Sequence, residues 1–235
     1  MWRHEGVAAA RPEGMAMETV TAVRTLNRVG KSITTFVVYD LVEELELLEE
    51  GDVIEVITDD SEPFLRDMAA WCRTTGHVLV SSQPQGKTRR FLIEKRHVAP
   101  KDSTLAMVIS NPGLEELLSP LGFALAAALE GTRVALYFQG PAVRVLARGY
   151  HPKLKGWYRR PFSKLAAAGM AKAGHIPAQE KLRQLINLGA TIYMCGPSRD
   201  RFLGPRATLE FEDLPVVEYL SFMAVMRDAD IQLYL

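Results

Sequence analysis

Residues 105–110 read LAMVIS, residues 132–138 read TRVALYF and residues 191–195 read TIYMC. These runs are nearly continuous in apolar residues. A strand with one wet face alternates apolar and polar residues, whereas a strand covered on both faces does not. Segments near 115–130, 178–188 and 215–228 carry helical spacing between and after the runs, and IQLYL at 231–235 reads as a last strand. Alternating strands and helices imply a doubly wound, mainly parallel sheet flanked by helices, so residues 105–235 are expected to form one α/β domain.

Upstream the rhythm is different. TVTAVRTLN (19–27) is a short β-prone run, and Ser32 and Thr34 are placed to cap a helix carrying Val37, Val38, Leu41, Val42, Leu45 and Leu48 at helical spacing. Gly51 is expected to stop it, and DVIEVIT (52–58) reads as a strand. In DDSEPFLRDMAAWCRTTG (59–76), Ser61 can cap a second helix, Pro63 suits its first turn and Gly76 suits its end. HVLVSSQ and RRFLIEK flank the turn-forming PQGKT and should pair as a hairpin. Both helices must bury an apolar face, so residues 19–98 are expected to form a two-layer βαβαββ sandwich. Residues 99–104 read as a linker and residues 1–18 as a disordered or extended tail.

Composition removes several classes of function. Lys plus Arg and Asp plus Glu number 28 each, so no global field draws the chain onto nucleic acid or anionic lipid. No apolar run reaches the roughly 18 residues of a membrane span, and the first 18 residues carry three glutamates and no apolar signal core. The two cysteines, Cys72 and Cys195, lack the spacing of a zinc site or a disulfide framework, which points to a reducing cytoplasm. His151 and His175 likewise lack metal-ligand spacing, so neither a metal nor a cofactor is expected.

Cys195 ends a predicted parallel strand and is followed at once by Gly196, Pro197 and Ser198. Ligands of open α/β sheets bind outside the carboxyl ends of the strands, where this thiol should be partly exposed. Amides of Gly196, Ser198 and Arg199 can face the sulfur, Arg199 and Arg201 can favour the thiolate, and Gln139 and Gly140 end the neighbouring strand. Against this stands the ordinary behaviour of free cysteine as a small buried hydrophobe. Cys72 falls on the Phe64, Met68, Trp71 stripe and reads as core. The helix start at Ser32–Thr35 could hold an anion on its free amides, although such groups are more often simply capped.

YFQGPAVRVL, LINLGATIYMCGPS and the terminal ADIQLYL resemble the DsrE family of sulfur-carrying proteins. The resemblance implies that Cys195 carries a persulfide. EEGDVIEVITDD, AAWCRTTGHVL and FLIEK resemble TusA-type (SirA-like) sulfur-carrier domains, whose active motif is Cys-Pro-x-Pro at the start of the first helix. Here Thr34–Val37, TTFV, occupies that place, so the nucleophile and both prolines are missing. A hydroxyl is a far weaker nucleophile than a thiolate, and this domain is expected to act as a docking scaffold. Replacing Thr34 by Ala should leave loading at Cys195 unchanged apart from a cap worth ~1 kcal/mol. A similar domain order occurs in YedF proteins associated with selenium metabolism. No second cysteine stands beside Cys195 here, so selenium is the weaker option.

Between 144 and 164 a basic run interleaves Arg144, Arg148, Lys153, Lys155, Arg159, Arg160 and Lys164 with Tyr150, Trp157 and Tyr158. Such a mixture can grip phosphate and stack on bases, or it can be a solvated segment burying its rings at a subunit contact. Zero net charge favours the second reading, and with it a homo-oligomer. The expected function is that of a sulfurtransferase or sulfur carrier acting between donor and acceptor proteins. The rival is an interaction or regulatory module that kept both folds and lost the chemistry.

Overall fold

The computed structural model describes residues 21–97, 102–204 and 207–235. The expected tail, 1–18, and positions 99–101 of the expected linker lie outside the described residues. The first unit runs β1 (Arg24–Asn27), α1 (Thr34–Glu46), β2 (Val53–Asp59), α2 (Glu62–Thr75), β3 (Val78–Gln85) and β4 (Thr88–Glu94). Its sheet is ordered β1-β2-β4-β3, with β1 parallel to β2 and the remaining pairs antiparallel.

Local chemistry explains α2. The Ser61 side chain accepts a hydrogen bond from the Phe64 amide at 3.4 Å, Pro63 sits in the first turn, and Gly76 closes the helix at φ +88°, a conformation that favours glycine. The start of α1 departs from expectation. Its N-cap is Ile33, and no side chain caps it. Ser32 instead donates its hydroxyl to the Ala173 carbonyl at 2.5 Å, in the second half of the chain.

That second unit runs β5 (Thr104–Ile109), α3 (Leu114–Leu129), β6 (Arg133–Phe138), a 3₁₀ turn (Gly140–Leu146), a shorter one (Arg160–Phe162), α4 (Ser163–Lys172), α5 (Ala178–Asn187), β7 (Thr191–Cys195), α6 (Gly196–Phe202), β8 (Val216–Val217), α7 (Tyr219–Arg227) and β9 (Ile231–Tyr234). The sheet is ordered β8-β7-β6-β5-β9 and is wholly parallel. The expected helix at 215–228 is shorter than its apolar run, because Val216 and Val217 pair with β7 before α7 begins. The basic run ends at the first turn of α4, which begins at Ser163.

Right-handed crossovers fix which face each helix takes. From β5 to β8 the chain steps one way, with α3 and α5 packed on one face. The return to β9 crosses the other face through α7, whose Phe222 packs on Ala106, Val108, Ala135 and Tyr137. The α3/α5 layer then meets the α1/α2 layer of the first unit. Trp71 Nε1 donates to the Leu129 carbonyl at 3.0 Å, and Asn187 Nδ2 donates to the Tyr39 hydroxyl at 3.2 Å. One apolar core runs through both units, from Ile54 and Met68 to Leu121 and Met194. Along this axis the layers are sheet, helices, helices, sheet and the single helix α7.

Candidate functional site

Cys195 closes β7 and is also the N-cap of α6. Strand alternation turns its side chain to the α7 face, among Ala106, Val108, Ala135, Tyr137 and Phe222. The expected partial exposure is not found: Cys195 is 0% exposed. The reason is tertiary, since α7 comes from beyond the strand and lays Phe222 over this end of the sheet.

The sulfur nevertheless has polar company. Ser198, one turn into α6, donates its hydroxyl to Cys195 Sγ at 3.0 Å and accepts the Gly140 amide at 2.8 Å. Gly140 adopts φ +53° at the end of β6, which aims that amide across the strand ends. Gln139, just before it, uses Nε2 to reach Ser110 Oγ at 3.0 Å and the Tyr234 hydroxyl at 2.5 Å, tying together the ends of β6, β5 and β9. Of the residues read as the site, Ser198 touches the sulfur, Gly140 acts through Ser198, Gly196 forms the turn, and Gln139 braces the rim. Arg199 pairs with Asp200 at 3.1 Å, and Arg201 lies over the Phe202 ring at 5.7 Å, so neither guanidinium bonds the thiol.

Tyr137, which no local motif marks, is also part of this site. Its hydroxyl is buried and makes no hydrogen bond of normal geometry among the described residues, and burial, then the neighbouring Cys195, push its pKa well above the usual tyrosine range. The phenol therefore keeps its proton and is a donor available to negative charge on the sulfur. The register carried the signal: Tyr137 pairs with Tyr193 on β7, two residues before Cys195 on the same face.

Cys72 is a different thiol. It is 2% exposed, and desolvation, slightly offset by Arg73, raises its pKa to about 12. It lies with Phe64, Met68 and Trp71 in the core, as its stripe predicts. Thr34 and Thr35, where the Cys-Pro-x-Pro motif would stand, face a space between the units that is also lined by Trp71, Ala126 and Glu130. Among the described residues no group of three or more His, Cys, Asp or Glu could hold a metal ion. No described helix is long and apolar enough to cross a membrane.

The basic segment is neutralised in part by the chain's own carboxylates. Lys155 pairs with Glu116 at 2.9 Å and Arg159 with Glu115 at 2.5 Å, while Arg144 stacks on Phe202 at 5.5 Å. Tyr150 packs against the core, whereas Trp157 and Tyr158 remain exposed.

Residues 38–95 match the family described as Sulfurtransferase TusA, and residues 103–204 match the DsrE/DsrF-like family. The chain joins a TusA-like domain to a DsrE-like domain. The TusA match begins at Val38, immediately after Thr34–Val37, and the DsrE match ends before β8, α7 and β9. Both matches place the chain in sulfur relay in general. No curated protein is significantly similar to it. Among solved structures, the crystal structure of the ychN protein from E. coli is similar over 57% of this chain and 99% of that one, at 11% identity and a TM-score of 0.39.

Proposed function

We propose that the DsrE-like domain carries sulfane sulfur as a persulfide on Cys195, with the TusA-like domain serving as a docking scaffold for donor or acceptor proteins. The observation that carries this reading is the hydroxyl of Ser198 on Cys195 Sγ at 3.0 Å, itself held by the Gly140 amide at the carboxyl end of a parallel sheet. The thiolate attacks the outer sulfur of a donor persulfide, the donor's sulfur–sulfur bond breaks, and the donor leaves as a thiol. Sulfur moves without net oxidation. Ser198 and Tyr137 can both donate to the negative sulfur, which stabilises the thiolate before attack and the persulfide after it. Complete burial then shields the persulfide from stray thiols, and α7 must shift to admit donor and acceptor. A cytoplasmic setting and a homo-oligomer fit this role.

Mass spectrometry after incubation with a low-molecular-weight persulfide donor tests the reading. The expected result is the mass of one added sulfur on Cys195 and none on Cys72. An unmodified Cys195, in protein shown to be folded, would overturn it.

The complete burial of Cys195 and the threonine at position 34 favour a second reading, a non-catalytic interaction module. Under that reading Cys195→Ala binds the same partners with unchanged affinity, and the wild type gains no sulfur.

A further inference from the structure

Lys181, on α5, is 3% exposed. Ammonium groups are almost never buried this far without a carboxylate. Among the described residues no acid pairs with this one: Glu180 is taken by Arg183, and Glu115 and Glu116 on α3 by Arg159 and Lys155. Nζ donates to the Leu118 carbonyl at 3.2 Å and lies 5.7 Å from the centre of the Phe36 ring. An ammonium has three donors, and among the described residues only one is used. Burial lowers the Lys181 pKa to about 8, so the group is still mostly charged at neutral pH. Burial, then the charge of Lys181, holds His175 below the usual histidine range. An uncompensated positive charge therefore sits inside the DsrE-like domain.

Lys181 lines a cavity of ≈ 170 Å³. Leu117 and Leu118 of α3, Met170 of α4 and Ile176 make most of its wall apolar, and His151 and His175 share that wall with Lys181. Engineered apolar cavities of about 150 Å³ stay dry and take up benzene, so this volume suits a body of roughly six carbons. The site lies on the α3/α5 side of the sheet, away from the α7 face that holds Cys195.

We propose that this cavity binds a small organic acid with a hydrocarbon body of about six carbons, its carboxylate paired with Lys181 and its tail against Leu117, Leu118 and Met170. Each part of the ligand answers one feature. The carboxylate supplies the missing counter-charge and fills the unused donors, and the tail fills apolar space that water occupies poorly. The site is independent of sulfur chemistry, so failure of one reading leaves the other standing.

The test uses the full-length protein with hexanoate, hexan-1-ol and hexylamine as probes, followed by titration calorimetry and by the methyl resonance of Met170. Hexanoate should bind about tenfold more tightly than the alcohol, shift the Met170 signal, and exceed the amine by more. Hexanoate stays ionised throughout a window above the ordinary histidine range, whereas Lys181 loses its proton as pH rises through about 8. Affinity should therefore fall on the order of tenfold between pH 7.5 and 9.5. Lys181→Met should abolish the preference for the acid. The proposal is overturned if hexanoate fails to bind, if the alcohol binds equally well, if Met170 does not respond, or if a folded Lys181→Met variant still prefers the acid. Should that variant not fold, the comparison of acid, alcohol and amine on the unchanged protein decides.

Discussion

The two faces of the five-stranded sheet are covered very differently. Behind one face stand α3 and α5, then α1 and α2, then a second sheet. Over the other, among the described residues, lies only α7, nine residues long, with Tyr219, Leu220 and Met223 turned to solvent. Both cysteines are buried, yet Cys72 lies deep within the thick side and Cys195 beneath the thin one. Exposure in a static structure does not separate them. The amount of structure that must move to uncover each one does.

The strongest way to break this comparison is to remove the ring that closes the thin side. Phe222→Ala should cost about 3–5 kcal/mol of local burial, accelerating alkylation of Cys195 by roughly a hundredfold to a few thousandfold when opening of α7 limits it. Labelling of Cys72 in the same sample should change far less, and equal acceleration of both thiols would mean that the two faces open as one unit. The mirror experiment acts on the thick side. Trp71→Phe deletes the buried bond to the Leu129 carbonyl and should lower stability to urea by roughly 1–3 kcal/mol. Here Cys72 should gain reactivity more than Cys195 does, the reverse of the first pattern.

Smaller changes sharpen the chemistry of the thin side. Ser198→Ala removes the hydroxyl on Cys195 and is expected to slow sulfur loading about fivefold, for a bond worth ~1 kcal/mol. Ser198→Thr, which keeps a hydroxyl, should retain most of the rate, and an unaffected rate in the alanine variant would remove Ser198 from the mechanism. The smallest effect is expected at Thr34. Because no side chain caps α1, Thr34→Ala should shift the urea midpoint by less than about 0.5 kcal/mol in free energy, below the cost expected of a cap, and leave loading at Cys195 unchanged. A loss of loading in folded protein would bring the TusA-like domain into the active site.

What could be read from the chain follows the range of the interactions involved. Ser61, Pro63 and Gly76 define α2 through bonds within a few residues, and the sequence states them directly. The alternation of apolar strands and helices gave both sheets, because crossover handedness leaves few other arrangements. Ser32 reads as a cap only if its surroundings are local, yet its partner, Ala173, is 141 residues away. The burial of Cys195 depends on α7, whose place over β7 no local pattern encodes. Lys181, His151 and His175 have no common spacing, and only the packing of α4 and α5 brings them to one wall.

The shared helix layer also has a meaning for synthesis. The TusA-like domain is complete in sequence by residue 97, but α5, which supplies Asn187 to Tyr39, ends 90 residues later. At roughly 5–20 residues per second, the outer face of α1 and α2 waits about 5–18 s for its cover during translation. Over that interval Phe36 and Trp71 form a sticky surface on the nascent chain, an occasion for chaperone capture. Expressing either half alone would make this exposure permanent, so a cut near residue 100 yields two aggregation-prone pieces rather than two working modules.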